Sequence, residues 1–192
     1  MYILIFLCSF VFNIMASKSR ESVTRTIRIE RENDRVLVRE ADRSGYSVNS
    51  LLAQIIRRYT QYERFHPSGD SISIGKNVLV DLLSHLPDDV LIDLAESLGA
   101  ERINQSLLQR GMPVTLDNVF WFVNQILGEY QAWFRCDLNL ENGVHHLLCS
   151  HNNGRKWSVF IRHFLSPIFQ DVLNKKVDTV ILVNAVHFNI RK

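Results

Sequence analysis

Thr24-Arg25-Thr26-Ile27-Arg28-Ile29 alternates polar and apolar side chains, which is the pattern of a short β-strand with one buried face. Successive side chains of a strand point to opposite faces, so Ile27 and Ile29 would face inward while Thr26 and Arg28 face outward. This stretch therefore predicts a strand at the start of a small folded module.

Two helices are predicted to follow the strand. The first spans residues 31–43, and the second begins at Ser47 and runs to about Tyr62, with the turn Ser44-Gly45-Tyr46 between them. The second helix carries apolar residues at helical spacing: Leu51, Leu52, Ile55, Ile56 and Tyr59. One strand and two short helices cannot enclose a core alone, so the module needs a second copy of itself.

The module resembles the ribbon-helix-helix DNA-binding domain of the Arc, MetJ and CopG repressors. The shared features are the alternating strand, the sixteen-residue step from Ile29 to Gly45, and the turn Gly45-Tyr46-Ser47 followed by Ser50. Asn33 departs from the pattern, because the family usually places an apolar residue there. The resemblance implies a homodimer, or a dimer of dimers, whose paired strands enter the major groove of double-stranded DNA.

Two kinds of DNA contact are expected of this module. Thr24, Thr26 and Arg28 would read base edges, since arginine is the usual bidentate partner of guanine. The stretch Ser47-Val48-Asn49-Ser50 would clamp a phosphate, because Ser47 is a good N-cap and a helix N-terminus attracts anions. The alternative is an ordinary strand-helix-helix piece of a larger domain, with Arg28 merely solvated.

Charge is distributed unevenly along the 192 residues. The net charge is +2, but residues 17–66 carry eleven Lys/Arg against seven Asp/Glu, and residues 67–192 carry eleven against thirteen. The basic surplus of four therefore falls on the segment expected to meet phosphates. A hydrophobic content of 46% is ordinary for a globular protein and argues against wholesale disorder.

The first fourteen residues are almost wholly apolar. A membrane span needs roughly 20 apolar residues, and a secretion signal normally begins with a basic region. Both are missing here, so residues 1–16 are interpreted as a leader upstream of a true start at Met15. The alternative is that residues 1–14 are a signal or an anchor.

A second domain is predicted at residues 67–192, after the module at 17–66. It opens with a helical segment, in which one helix ends at Leu86-Pro87 and the next begins at Asp88-Asp89, since acids favour a helix N-terminus. That second helix is predicted to stop before Gly99.

The last third of the chain predicts a β-β-α-β arrangement. Residues 130–140 alternate strictly, Asn142-Gly143 is a strong hairpin turn, and residues 144–150 form the returning strand. A long helix starts near Lys156, and residues 177–190 are predicted as one long central strand. The predicted fold class is thus α+β: an N-terminal ribbon-helix-helix module (β-α-α, dimeric), a helical segment and a C-terminal β-β-α-β domain.

A candidate anion site lies at the start of the long helix, formed by Asn152, Asn153, Arg155 and Lys156. The alternative is that Asn152 or Asn153 caps the helix while the basic side chains are solvated.

No metal, haem or other cofactor is expected. The chain has three cysteines: Cys8, Cys136 and Cys149. Their number and spacing match no zinc motif, and an odd number of cysteines suits a reducing cytoplasm. His145 and His146 are adjacent on a strand and point to opposite faces, so with His151 they form no clear ligand set.

The function predicted from the sequence is that of a cytoplasmic, site-specific DNA-binding transcriptional regulator without enzymatic activity. Its C-terminal domain would sense a small-molecule effector, bind a protein partner or mediate assembly. Two alternatives remain: an antitoxin that regulates its own operon, and a membrane-tethered or secreted binding protein that uses residues 1–14. Phosphate-binding glycine loops, zincin motifs and nucleophile elbows are not found in the sequence.

Overall fold

The computed structural model describes residues 22–66 and 73–191. The chain divides into two compact units, the first ending at Arg57 and the second beginning at Arg58. The leader predicted at residues 1–16 lies outside the described residues. In the part of the chain that the structure describes, no helix is both long enough and apolar enough to cross a membrane.

The first unit is helical. Residues 22–30 have no regular secondary structure, α1 spans Arg31–Ser44, and α2 spans Val48–Gln61, which continues into the second unit. Gly45 ends α1 in the left-handed conformation, with φ of 70°, where glycine has no side chain to strain. The Ser47 hydroxyl accepts the Ser50 N–H at 3.1 Å and thereby caps α2.

The strand predicted at residues 24–29 is wrong, and with it the β-α-α module of the predicted fold class. A strand is defined by hydrogen bonds to a neighbouring strand, and none of the strands described in this chain lies beside that segment. The alternating side chains of residues 24–29 therefore predicted a strand, but no other strand of the described chain pairs with it.

The second unit contains helices followed by a sheet. The helices are α3 Lys76–Ser84, α4 Asp88–Gln109, α5 Leu116–Trp121 and α6 Gly154–Pro167. α5 continues in π-helical turns over Phe122–Tyr130, and α6 does so over Ile168–Val172. The strands are β1 Arg135–Glu141, β2 Val144–Ser150, β3 Lys176–Ile181 and β4 Ala185–Arg191.

The strands form one antiparallel sheet in the order β1-β2-β4-β3. The predicted β-β-α-β domain is therefore corrected to β-β-α-β-β, because residues 177–190 are two strands and not one. The apolar run had indicated a buried central strand, but Leu182 and Val183 lie in the connecting turn and are 51% and 61% exposed. The Leu182 N–H donates to the Ala185 carbonyl at 2.8 Å and closes this second hairpin.

The core of the second unit lies between one face of the sheet and the helices. Leu147, Phe188 and Ile190 face inward from β2 and β4, and Phe169, from the π-helical extension of α6, contacts the Phe188 ring. The outer face of the sheet is partly open to solvent, as the half-buried His146 and His187 show. This is the two-layer arrangement that an antiparallel sheet with one apolar face requires.

α4 does not stop before Gly99, as the sequence had predicted, but continues through it to Gln109. A Cβ atom at Gly99 would lie 1.9 Å from the Phe164 carbonyl oxygen, so glycine is the residue that lets α4 approach α6. Ala95, one turn before Gly99, and Ile103, one turn after it, continue the buried stripe of α4.

Candidate functional site

The first unit buries very little apolar surface. Among its described residues, Ala41 alone is buried. Ile27, Ile55 and Ile56 are 60%, 46% and 59% exposed. Isoleucine side chains are among those most often buried in proteins, so three isoleucines this exposed are unusual.

The first unit also carries several exposed arginine side chains. Residues 22–57 contain seven arginines and five acidic residues, and every one of these arginines is exposed. Arg43 approaches Glu40 at 4.0 Å, which is the limit of an ion pair. The first unit thus presents a modest positive surplus to solvent.

The residues predicted to touch DNA all lie in the first unit. Thr24, Thr26 and Arg28 are exposed on the irregular segment before α1. In the stretch Ser47-Val48-Asn49-Ser50, the Ser47 hydroxyl is engaged by both the backbone and the hydroxyl of Ser50, at 3.1 and 2.8 Å. The structure therefore places the two groups of residues in one unit, and their roles stay predictions.

An open cavity of about 480 Å³ lies in the second unit, where the end of the α5 extension meets the open end of the β1-β2 hairpin. Its charged side chains are Lys76, Glu129 and Arg135. Trp133 and Cys136 give it an apolar side. Its volume is within the range of small-molecule pockets, though its walls combine polar and apolar groups about equally.

His151 lies at this cavity and contacts Ser158, a pairing that would suggest a nucleophile and its base. The Asn153 N–H donates to His151 Nδ1 at 3.2 Å, so the neutral ring carries its proton on Nε2. That proton is donated to the Ser158 hydroxyl at 2.9 Å, and the hydroxyl in turn donates to the Val183 carbonyl at 3.2 Å. His151 is therefore a donor to Ser158 and not its base.

The protonation state of His151 agrees with this network. Burial, aided by the nearby positive charge of Lys76, lowers the pKa of His151 to about 4. The ring is consequently neutral near pH 7, and the network joins the start of α6 to the turn between β3 and β4.

The candidate anion residues lie at the start of α6. Lys156 is held by the carbonyl of Leu86 and by Asp88, at 3.0 Å from its carboxylate. The Gly154 N–H donates to the Asn184 side chain at 3.0 Å. Asn184 therefore caps the helix instead of Asn152 or Asn153. The Asn153 side-chain amide nitrogen is buried without a partner among the described residues.

The histidines of the hairpin point to opposite faces of the sheet. His145 packs inward against Phe120, with ring centroids 5.1 Å apart. His146 lies on the outer face, bonded to Asn189 at 2.7 Å and stacked on His187 at 5.6 Å. Among residues 22–66 and 73–191, no group of three metal-ligating side chains comes together.

Neither the cavity nor the pairing of Cys136 with Cys149 was predicted from the sequence. Lys76, Trp133 and His151 are far apart in the chain, and no local pattern joins them. Cys136 lies directly opposite Cys149 on the paired strands, and counting back from the hairpin turn would have given that pairing.

Comparisons with known proteins find little. No family model matches the sequence, and no curated protein matches it significantly. Among solved structures, the chain is similar to a trafficking protein particle complex subunit 3 from Naegleria fowleri covalently bound to palmitic acid. The identity is 8% and the TM-score is 0.36, over 60% of this chain and 89% of the other.

The expected label of a CopG-like ribbon-helix-helix repressor is wrong as a description of this chain. Residues 24–29 form no ribbon strand in the described structure. The surface of the first unit is accordingly judged on its own side chains.

Proposed function

We propose that the protein is a regulator that assembles as a homodimer through residues 22–57 and contacts double-stranded DNA with the arginines of that unit. One observation carries the proposal. The described part of the first unit buries one alanine and exposes both isoleucine and arginine side chains.

The apolar side chains support self-association. Fully burying an isoleucine stabilises a protein by about 1.5–3 kcal/mol. About half of each side chain is exposed at Ile27, Ile55 and Ile56, so burial in a dimer would add about half of that stabilisation at each position. A two-fold partner offers the same surface in return, so both copies gain together.

The positive side chains support a polyanionic ligand. Arginine neutralises phosphates and releases counterions, and this electrostatic contribution dominates protein–DNA affinity. Thr24, Thr26 and Arg28 are the residues proposed to touch bases, and the α2 N-terminus capped by Ser47 is proposed to meet a phosphate.

The second unit takes the role of an assembly or sensing domain in this proposal. Residues 67–192 carry a charge of −2, which gives phosphates no electrostatic attraction. The cavity beside Lys76 and His151 provides a place for an effector.

Assembly is tested by light scattering on the full chain. The double substitution Ile55→Glu, Ile56→Glu should give a monomer, because four carboxylates would be buried at each dimer interface. Val180→Glu is the matched control, since Val180 is 50% exposed on a strand of the second unit. A parent chain that is monomeric at every concentration would refute the dimer.

DNA contact is tested by enriching bound duplexes from a random pool and titrating the preferred site at several salt concentrations. Arg28→Ala should cost about 1–3 kcal/mol and relax the sequence preference. Arg102→Ala, an exposed arginine of the second unit, should leave both unchanged. Absence of enrichment, or equal loss in the two variants, would refute the assignment.

A further inference from the structure

Cys136 and Cys149 face each other across the β1-β2 hairpin. Asn142 and Gly143 form a two-residue turn with φ of 49° and 77°, so the closing pair Glu141 and Val144 is hydrogen bonded. Hydrogen-bonded and non-hydrogen-bonded pairs alternate along an antiparallel ladder. Counting from the turn, Cys136 and Cys149 are a non-hydrogen-bonded pair.

This type of pair brings the two sulfur atoms into reach of each other. Opposite Cα atoms of a non-hydrogen-bonded pair are about 4.5 Å apart, which is at the lower end of the separations found in disulfides. Directly opposite residues on paired strands project their side chains to the same face of the sheet, so the two thiols are neighbours. Forming an S–S bond therefore requires side-chain rotation and little backbone movement.

The two cysteines differ in access. Cys149 is completely buried among the core side chains, and that burial raises the pKa of its thiol. Cys136 is half-buried and lines the open cavity. A small reagent entering the cavity therefore reaches Cys136, and Cys149 is reached through Cys136.

We propose that Cys136 and Cys149 are a redox-modification site, which a hydroperoxide entering the cavity converts from a dithiol to a disulfide. The Cys136 sulfur attacks the terminal oxygen of the hydroperoxide. The S–O bond forms, the O–O bond breaks, and the other oxygen leaves as an alcohol or water with the Cys136 thiol proton, so that Cys136 becomes a sulfenic acid. The Cys149 sulfur then attacks the Cys136 sulfur. The S–S bond forms, the S–O bond breaks, and the hydroxyl leaves as water with the Cys149 proton.

The modification alters one wall of the cavity. β1 is an edge strand of the sheet, held on one side by β2, and a disulfide would join the two strands covalently next to Arg135 and Ser150. Reduction by a small thiol would release the strands again.

The pair is testable with one peptide. Trypsin cuts after Arg135 and after Arg155, with no Lys or Arg between, so both cysteines lie in the single peptide 136–155. The full chain is treated with hydrogen peroxide, blocked with a maleimide under denaturing conditions and digested. The expected product is an unlabelled peptide that has lost two hydrogen atoms, and pretreatment with dithiothreitol should restore double labelling.

Two variants control for other oxidation routes. Cys8→Ser removes the third cysteine and should leave the product unchanged. Cys149→Ser should instead leave a sulfenic acid at Cys136 that dimedone traps. The proposal is overturned if peroxide leaves the parent peptide doubly labelled, oxidises Cys136 alone, or yields only disulfides between chains.

Discussion

Gly99 is a residue at which the backbone of α4 lies directly against the backbone of α6. An added Cβ would overlap the Phe164 carbonyl oxygen, and backbone of a helix cannot give way as a flexible side chain can. The two helices carry much of the core between them, so their separation decides how the core packs.

Gly99→Ala should lower the free energy of unfolding by about 1–3 kcal/mol or more, because overpacking forces the helices apart. Gly75→Ala is the matched control: its new Cβ would lie 3.9 Å from the nearest side-chain atom, so stability should hold or rise slightly. Urea unfolding followed by circular dichroism measures both. Equal stabilities for the two variants would contradict the packing argument.

His151 should make stability depend on pH. Its folded pKa of about 4 is below the ordinary value of 6.5, so the unfolded chain takes up the proton first as pH falls. The stabilisation is complete above about pH 6.5 and is lost progressively toward pH 4, by on the order of 1 kcal/mol after allowance for solvent screening. His66 and His145, whose pKa values burial also lowers, act in the same direction.

The measurement is urea unfolding at pH 7 and at pH 5. His151→Asn removes the titrating ring, so the stability difference between the two pH values should shrink relative to the parent chain. The attribution fails if parent and variant lose equal stability.

At the scale of elements, α6 depends on a residue distant in sequence for its N-terminal cap. Asn153 precedes the helix but makes no side-chain cap bond, and Asn184 from the turn between β3 and β4 accepts the Gly154 N–H. The backbone carbonyl of Asn184 also accepts a hydrogen bond from the backbone N–H of His151 at 2.9 Å. The hairpin turn and the helix start thus order each other.

Asn184→Ala should therefore cost about 0.5–2 kcal/mol, as loss of an N-cap does. Asn152→Ala, two positions before the same helix start but exposed, should change stability little. Thermal unfolding compares the variants, and a larger loss for Asn152→Ala would show that the cap was assigned to the wrong asparagine.

Elements decided by local chemistry were predictable from the sequence, and those decided by distant contacts were not. The hairpin turn at Asn142-Gly143 is confirmed, because positive φ angles are a property of those residues themselves. The passage of α4 through Gly99 was missed, since glycine indicates a helix end unless a neighbouring helix is known to touch it. The strand at residues 24–29 failed for the same reason: strands need partners, and sequence alone does not supply them.

The cavity shows the same limit. Lys76 is the first residue of α3, Trp133 lies just before β1, and His151 follows β2. The packing of the helices on the sheet brings these three residues together at the cavity. Of the candidate anion residues, Lys156 has a partner, Asp88, that no local pattern indicates.

At the scale of the whole molecule, the second unit includes the C-terminal end of α2. The Tyr130 hydroxyl donates a hydrogen bond to the Gln61 side chain at 2.6 Å. The Tyr130 backbone carbonyl accepts one from the Arg58 guanidinium at 3.3 Å. Arg110 donates to the Gln61 carbonyl at 3.2 Å, and the Tyr62 and Tyr130 rings are 5.8 Å apart.

A fragment of residues 47–192 should therefore unfold cooperatively, and a fragment of residues 67–192 should be less stable by several hydrogen bonds, or about 2–4 kcal/mol. The longer fragment keeps the Ser47 cap and all of α2, so the two fragments differ in residues 47–66. Circular dichroism in urea measures both. Equal stabilities would place the start of the second unit after residue 66.

The positions of the aromatic residues give the two units different optical properties. The chain has three tryptophans, Trp121, Trp133 and Trp157, and all belong to the second unit. Trp157 is buried, donates its indole N–H to the Trp133 carbonyl at 3.0 Å and meets the Trp133 ring edge-on at 5.7 Å. Light emitted by indole thus reports on the sheet and its helices alone. An event in residues 22–57 is followed by tryptophan emission only after a tryptophan is introduced there, since the aromatic side chain of that segment is Tyr46.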